Sequence, residues 1–254
     1  MNKSLFIFFI LILALIPSSV FANEVKWTEK RVNKELTSIG VSVELLETLN
    51  MEEKVEIAES GFTKFLGYSK SSFDLEQEQD EFTALALQDD LDFTLYYGLL
   101  GNLDGDPYIK VTAKYDWNDM PYWRLTDGFG VSWSKGWTLD QFDYTSYQVT
   151  ELGNIHSSNP NYKDKSNAGS IGWTYDLETF YGDAYGTAHV YLKGTDIQGD
   201  TGEIKIWYAH DKVIGGLGLS ASAATSPSVA AAITFTNVTD IVSDSIDINH
   251  AAFD

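Results

Sequence analysis

Apolar and polar residues alternate along much of the chain after about residue 82, with the period of two that a half-buried β-strand shows. The alternation is clearest from Ile109 to Trp117, and it returns at 129–133, 187–193 and 203–209. Turn-forming residues separate these runs, and no helical pattern lies between them. The pattern predicts a mainly β fold, an antiparallel β-sandwich that occupies residues 82–254.

Two of these runs, 187–193 and 203–209, are joined by the stretch from Gly194 to Gly202, which is rich in glycine and aspartate. Consecutive strands with a short, turn-rich connection commonly pair with each other. The sequence therefore predicts that the two runs form one hairpin.

Residues 23–65 show short helical patterns instead of alternation. Asn50 precedes one of them, and Glu53 stands three residues later, the spacing of a capping box. Residues 66–81 then carry serines and acidic residues with few apolar positions. We interpret 23–65 as a short N-terminal helical segment and 66–81 as an acidic linker that separates it from the sandwich.

The first 22 residues have the layout of a signal peptide. Lys3 precedes an apolar run over 5–16, and Val20-Phe21-Ala22 suits cleavage after Ala22. The run is shorter than the ~20 residues that a membrane-spanning helix needs. The chain also has no cysteine, which excludes disulfides and thiolate metal sites. The expectation is a secreted, extracellular protein, with an uncleaved N-terminal anchor as the alternative.

The chain carries a formal net charge of −20, and its acidic residues are spread along its whole length. A field of this sign repels the phosphates of nucleic acids and the headgroups of anionic lipids. Nucleic acid is therefore excluded as a partner. One interpretation is that the acidic residues keep the protein soluble outside the cell, and the other is that some of them bind divalent cations.

Calcium is the one cofactor that the sequence suggests. Ca²⁺ prefers carboxylate and carbonyl oxygens that turns bring together. Asp196, Asp200 and Glu203 lie around two glycines and form the first candidate site, and Asn102, Asp104 and Asp106 form the second. Neither group has the spacing of an EF-hand, and ordinary hairpin turns also collect aspartate and glycine.

Aromatic residues crowd into 117–147. Tyr122, Trp123 and Arg124, together with Trp137, lie close to turn residues, so the sequence predicts that they are exposed and bind a ligand. Aromatic rings present flat apolar faces, which suit the stacking of sugar rings. The alternative is that these aromatic side chains fill the sandwich core and cover its ends.

The segment 217–236 is free of charged residues, and its apolar positions alternate with glycine, serine, alanine and threonine. It predicts a hairpin around Pro227. The pattern resembles the membrane-inserting hairpins of β-pore-forming toxins, whose strands alternate lipid-facing and lumen-facing residues. The resemblance implies membrane contact, although each strand is slightly short for a span. The alternative is a hairpin packed against a neighbouring sheet.

Motifs of catalysis are weak in this sequence. It has no H-E-x-x-H and no G-x-S-x-G, and we expect His189 and His210 on the surface. The favoured interpretation is a secreted, non-enzymatic binding protein that recognises an extracellular or cell-wall glycan. A membrane-active or pore-forming protein using 217–236 is the second interpretation. A hydrolase with unidentified acidic residues is the third.

Overall fold

The computed structural model describes residues 27–75, 89–118, 126–150, 152–157, 161–177, 181–210, 217–236 and 240–253. Three helices come first: α1 (Glu29–Ser38), α2 (Val43–Thr48) and α3 (Met51–Glu59). Thirteen strands and a C-terminal 3-10 helix follow in the described residues. The strands are β1 (Lys64–Leu75), β2 (Asp89–Leu103), β3 (Asp106–Trp117), β4 (Thr126–Trp133), β5 (Trp137–Thr150), β6 (Ile155–Ser157), β7 (Asn161–Ser166), β8 (Ser170–Asp176), β9 (Tyr181–Gly194), β10 (Thr201–His210), β11 (Gly218–Ala221), β12 (Ile233–Thr236) and β13 (Asp240–Asn249), and the 3-10 helix is His250–Phe253.

The strands form two main antiparallel sheets. The six-stranded sheet has the order β1-β2-β3-β9-β5-β6, and the five-stranded sheet has the order β13-β10-β4-β8-β7. Their inner faces meet in one apolar core, which confirms the predicted mainly β, antiparallel sandwich. Along β3, for example, Ile109, Val111 and Ala113 are fully buried on the inner face. The alternation seen in the sequence is the consequence of this one-sided burial.

The predicted hairpin of 187–193 with 203–209 is wrong. The first run belongs to β9 and pairs with β3 and β5, whereas the second belongs to β10 and pairs with β4 and β13. The connection therefore crosses from one sheet to the other. Alternation shows that one face of each strand is buried, but two strands on opposite sides of a core show the same alternation.

The predicted linker at 66–81 is wrong for residues 66–75, which form most of strand β1. This strand pairs with β2 from Lys64 to Leu75, interrupted by a bulge at Leu66. Residues 76–81 lie outside the described residues, as do 1–22 and the start of the predicted sandwich at 82–88. Lys70 and Ser72 of β1 are exposed, as suits an edge strand, whereas Ser69 donates a hydrogen bond to Asp244 of β13.

The three helices pack on the outer face of the six-stranded sheet, over β1 and β2. Phe62 lies above Gly98 of β2 and makes edge-on ring contacts with Phe65 and Tyr96. The helices begin at the caps Thr28, Ser42 and Asn50, and Asn50 forms the predicted capping box with Glu53. The helical segment and the sandwich therefore share a second apolar cluster, made of residues from both.

The segment 217–236 does form a paired hairpin, with four residues in each strand. It lies on the outer face of the five-stranded sheet, where β4 and β8 carry glycines. Its side chains Phe235, Ile233 and Leu219 occupy the space above Gly128, Gly130 and Gly172, within 2.7 Å of where a Cβ atom would stand. The hairpin is thus packed against a neighbouring sheet. Across the described residues, none of the helices has the length and hydrophobicity required to traverse a lipid bilayer.

Candidate functional site

Beside the helices, the outer side of β3, β9 and β5 carries a row of polar and aromatic side chains, and we call this surface the open face. Its side chains alternate with the core residues along each strand, and they form rows across the three paired strands. They are Tyr108, Lys110, Thr112, Lys114 and Asp116 on β3, Asp183, Tyr185, Thr187, His189, Tyr191 and Lys193 on β9, and Gln141, Asp143, Thr145 and Tyr147 on β5.

Two tyrosine pairs stand near the two ends of the open face. Tyr108 and Tyr191 stack with ring centroids 6.2 Å apart, and Tyr147 and Tyr185 lie 5.4 Å apart. All four side chains are partly exposed. Tyr185 and Tyr191 are six positions apart on β9, so the pairs are separated by about 20 Å along the strand. The face can therefore offer aromatic contact at two points to one extended ligand.

Hydrogen-bonding side chains fill the space between the tyrosine pairs. The fully buried Thr112 Oγ1 lies 3.1 Å from His189 Nδ1, and within the first pair the hydroxyl of Tyr108 donates to Asp140 Oδ2 at 2.7 Å. Burial, reinforced by Lys110, lowers the pKa of His189 below its usual value. His189 is therefore neutral at pH 7 and can both donate and accept a hydrogen bond.

One end of the open face is acidic. Asp116 lies opposite Asp92 on β2, and Asp183 lies nearby on β9. Partial burial, together with the charges of Asp183 and Asp92, raises the pKa of Asp116 to about 6. This carboxyl group consequently changes charge in a mildly acidic environment, unlike an ordinary aspartate.

Helix α3 borders the open face on the side of β2. Glu56 accepts a hydrogen bond from Lys114 Nζ at 2.8 Å, and Glu53 accepts from Lys70 Nζ at 3.1 Å and from the Tyr68 hydroxyl at 3.3 Å. These contacts hold helix α3 against the sheet, so the helix forms one border of the open face.

A second polar group lies at the end of the sandwich, inside the core. The hydroxyl of Tyr208 donates to Asp127, accepts from Trp117 Nε1 at 2.7 Å and contacts the hydroxyl of Tyr175. His210 Nδ1 lies 2.8 Å from Asp127 Oδ1. Burial raises the pKa of Tyr208 well above its usual value, with Asp127 adding to the effect. The phenol therefore stays protonated and holds the buried carboxylate by hydrogen bonding.

The expectation that His210 lies on the surface is wrong, because its side chain is 1% exposed and that of Asp127 is 0% exposed. Neither can touch a substrate in this conformation. The two residues are 83 positions apart in sequence. Their pairing depends on the contact between β4 and β10, so no local sequence pattern could have indicated it. His189, in contrast, lies on the polar side of its strand, as predicted.

The predicted ligand residues do not come together at one described surface. Trp137 is only 1% exposed, so the expectation that it is accessible is wrong. Its ring packs edge-on against Phe253 at a centroid distance of 5.3 Å and next to His250, under the C-terminal 3-10 helix. A position beside a turn in the sequence does not reveal that another segment covers it. Tyr122, Trp123 and Arg124 lie outside the described residues.

The predicted calcium ligands are engaged separately. Glu203 Oε2 accepts the backbone N–H of Ala230 at 2.8 Å, and Asp196 accepts from the Gln198 amide. Asp200 is exposed in the same connection. Within the described ranges, no group of three or more His, Asp or Glu residues could hold a metal ion. Calcium binding by Asp196, Asp200 and Glu203 stays a prediction.

The second candidate calcium loop forms a tight turn that a lysine closes. Asp104 and Asp106 both form ion pairs with Lys193 Nζ, at 3.0 and 3.4 Å. Asp104 has a positive φ of 54°, a conformation that aspartate tolerates in turns. These carboxylates therefore have a structural partner already.

Comparison with known proteins finds no matching family model and no matching curated protein. Among solved structures, the chain is similar to the collagen-binding domain from a Staphylococcus aureus adhesin, at 11% identity and a TM-score of 0.30, covering 56% of this chain and 88% of that one. It is similar to the collagen-binding subdomain of the Enterococcus faecalis surface protein ACE, at 10% identity and a TM-score of 0.31, covering 61% of this chain and 96% of that one. The chain is also similar to Clostridium perfringens delta-toxin, at 6% identity and a TM-score of 0.31, covering 74% of this chain and 94% of that one. These similarities carry no argument about ligand or activity.

Proposed function

We propose that this protein is a secreted, non-enzymatic binding protein that recognises an extracellular glycan on its open face. The observation that carries the proposal is the pair of tyrosine clusters, Tyr108–Tyr191 and Tyr147–Tyr185, on one sheet face about 20 Å apart. Sugar rings present apolar C–H surface to aromatic rings, and their hydroxyls need partners of both polarities. Accessible side chains between the pairs, among them Thr145, Thr187 and His189, supply such partners.

Secretion is supported by the layout of residues 1–22. The hydrolase interpretation gains no support from the buried Asp127–His210 pair, which solvent does not reach.

The test is co-sedimentation of the mature protein with purified cell-wall glycan, with liposomes in a parallel tube. Each tube is prepared once with calcium and once with EDTA. We expect pelleting with glycan and not with liposomes. Tyr185→Ala and Tyr191→Ala should each weaken binding about tenfold, because an aromatic contact is lost. Ile241→Ala is the matched control, since Ile241 is exposed on the edge strand of the other sheet.

Each outcome has a definite meaning. Full binding by both tyrosine variants would place the glycan elsewhere and contradict the open face as the site. Pelleting with liposomes alone would favour the membrane-active interpretation, in which the packed hairpin 217–236 must first leave its sheet. Weaker glycan binding in EDTA would support a role for calcium.

A further inference from the structure

Four lysines of the described strands project from the outer face of the six-stranded sheet, and three of them have a carboxylate partner. Lys70 lies 3.1 Å from Glu53, Lys114 lies 2.8 Å from Glu56, and Lys193 lies 3.0 Å from Asp104. In a chain of net charge −20, such pairing is the expected state of a lysine.

Lys110 is the fourth, and it differs. Among the residues that the structure describes, no carboxylate oxygen lies within 4.0 Å of its ammonium, which instead stands 5.8 Å from the ring centroid of Tyr191. Its side chain is half-buried. Burial lowers the pKa of Lys110, and the more distant charges of Asp143 and Glu56 do not offset this effect. A half-buried cation without a contacting anion gains free energy when an anion binds.

The surroundings of Lys110 indicate the form of that anion. The stacked pair Tyr108–Tyr191 lies beside it on one side, and Thr112 and His189 lie on the other. We infer that the open face takes an acidic glycan, and that Lys110 binds the carboxylate of a uronate-type sugar. This inference rests on the proposed function and names the ligand class of the same site.

The overall negative charge of the protein does not prevent such binding. The Debye length is about 8 Å at physiological ionic strength, so the field of remote carboxylates is largely screened. The contact at Lys110 is made over a few ångströms at a half-buried position, where salt screens much less.

The experiment measures the affinity of the full mature chain for polygalacturonate, alginate and hyaluronan at about 150 mM salt. Each polymer is compared with its carboxyl-reduced form, which keeps the sugar backbone and loses the charge. We expect at least one acidic polymer to bind about tenfold more tightly than its reduced form, the effect of one charge-assisted hydrogen bond. Lys110→Gln should remove this preference while retaining the weaker binding of the reduced polymer.

Lys205→Gln is the matched control. Lys205 also places its ammonium over an aromatic ring, 4.3 Å from the centroid of Trp207, but on the outer face of the other sheet. This variant should keep the full preference for the acidic polymer. Retained binding of the reduced polymer by Lys110→Gln also shows that the variant is folded.

The outcomes separate the two proposals. Equal affinity for acidic and reduced polymers, or an unchanged preference in Lys110→Gln, would overturn the inference and leave the proposed function standing. Binding only to neutral glycans would do the same. Binding to no glycan, acidic or neutral, would overturn both.

Discussion

At the scale of single residues, the two faces of β3 show how one strand serves two purposes. Ile109, Val111 and Ala113 point into the core and are fully buried. Lys110 and Asp116 point to the open face, where partial burial shifts both pKa values toward the uncharged form. Such perturbed groups on a concave or bordered surface are typical of binding sites.

The raised pKa of Asp116 predicts a pH-dependent contribution to stability. The unfolded chain releases this proton near the usual value of about 3.9, whereas the folded chain releases it at about 6. The folded state therefore binds more protons between these values, and the contribution of Asp116 to the free energy of unfolding falls as the pH rises from 4 to above 6. Asp116→Asn should raise the Tm at pH 7.5 and leave it nearly unchanged at pH 4.

Calorimetry at the two pH values checks this prediction. Asp247→Asn is the matched control, because Asp247 is an exposed aspartate on the edge strand β13. It should change the Tm by similar small amounts at both pH values. An Asp116→Asn variant that melts below the wild type at pH 7.5 would show that the carboxylate stabilises the fold.

At the scale of elements, the hairpin β11–β12 depends on glycines in the sheet beneath it. A Cβ atom on Gly130 would lie 2.4 Å from Ile233 Cδ1 and 3.1 Å from the carbonyl oxygen of Ile171. The isoleucine can move, but the backbone carbonyl of a central strand cannot do so without disturbing the ladder. The absence of side chains at Gly128 and Gly130 of β4 is thus what allows the hairpin to pack.

Gly130→Val should therefore displace the hairpin from the five-stranded sheet. Overpacking of this kind typically costs about 1–3 kcal/mol, so proteolytic cleavage within 222–228 should accelerate roughly tenfold or more. Limited proteolysis with mass spectrometry gives the cleavage site, and far-UV circular dichroism checks that the sandwich persists. Thr187→Val, which places the same side chain on the open face, should leave the cleavage rate unchanged.

At the scale of the whole molecule, the helices and the sandwich are one structural unit. Strand β1 connects them, and the cluster beneath the helices contains Phe65 and Tyr96 from the sheet as well as Val32 and Leu36 from α1. A boundary near residues 66–75 would have to break the pairing of β1 with β2. We therefore expect one cooperative unfolding transition.

Phe62→Ala tests this cooperativity. Phe62 is 7% exposed and contacts both Phe65 and Tyr96, so its loss should destabilise the protein by about 3–5 kcal/mol. Hydrogen exchange protection should fall together in α1–α3 and in the central strands. Val43→Ala, at an exposed helical position, should have little effect. A loss of protection confined to the helices would instead support an independent helical segment.

The sequence by itself determined the class of fold, several strands of the core (β3, β4, β9 and β10) and the cap of α3. Alternation from Ile109 to Trp117 marks a strand because successive side chains point to opposite faces. Asn50 and Glu53 act on each other over three residues, so a local pattern is enough to reveal them. Which face of β9 and β10 is buried was predictable because alternation is also a local pattern, whereas the strands that pair with them were not.

The tertiary structure alone decided which strands pair and which side chains are covered. Trp137 lies beside a turn in the sequence, but the C-terminal 3-10 helix covers it. Asp127 meets His210 only because β4 pairs with β10. The open face likewise unites Tyr108 with Tyr191, and no carboxylate of the described residues contacts Lys110 there. Each of these facts depends on contacts between distant segments, and a period of two along one strand contains no information about its neighbour.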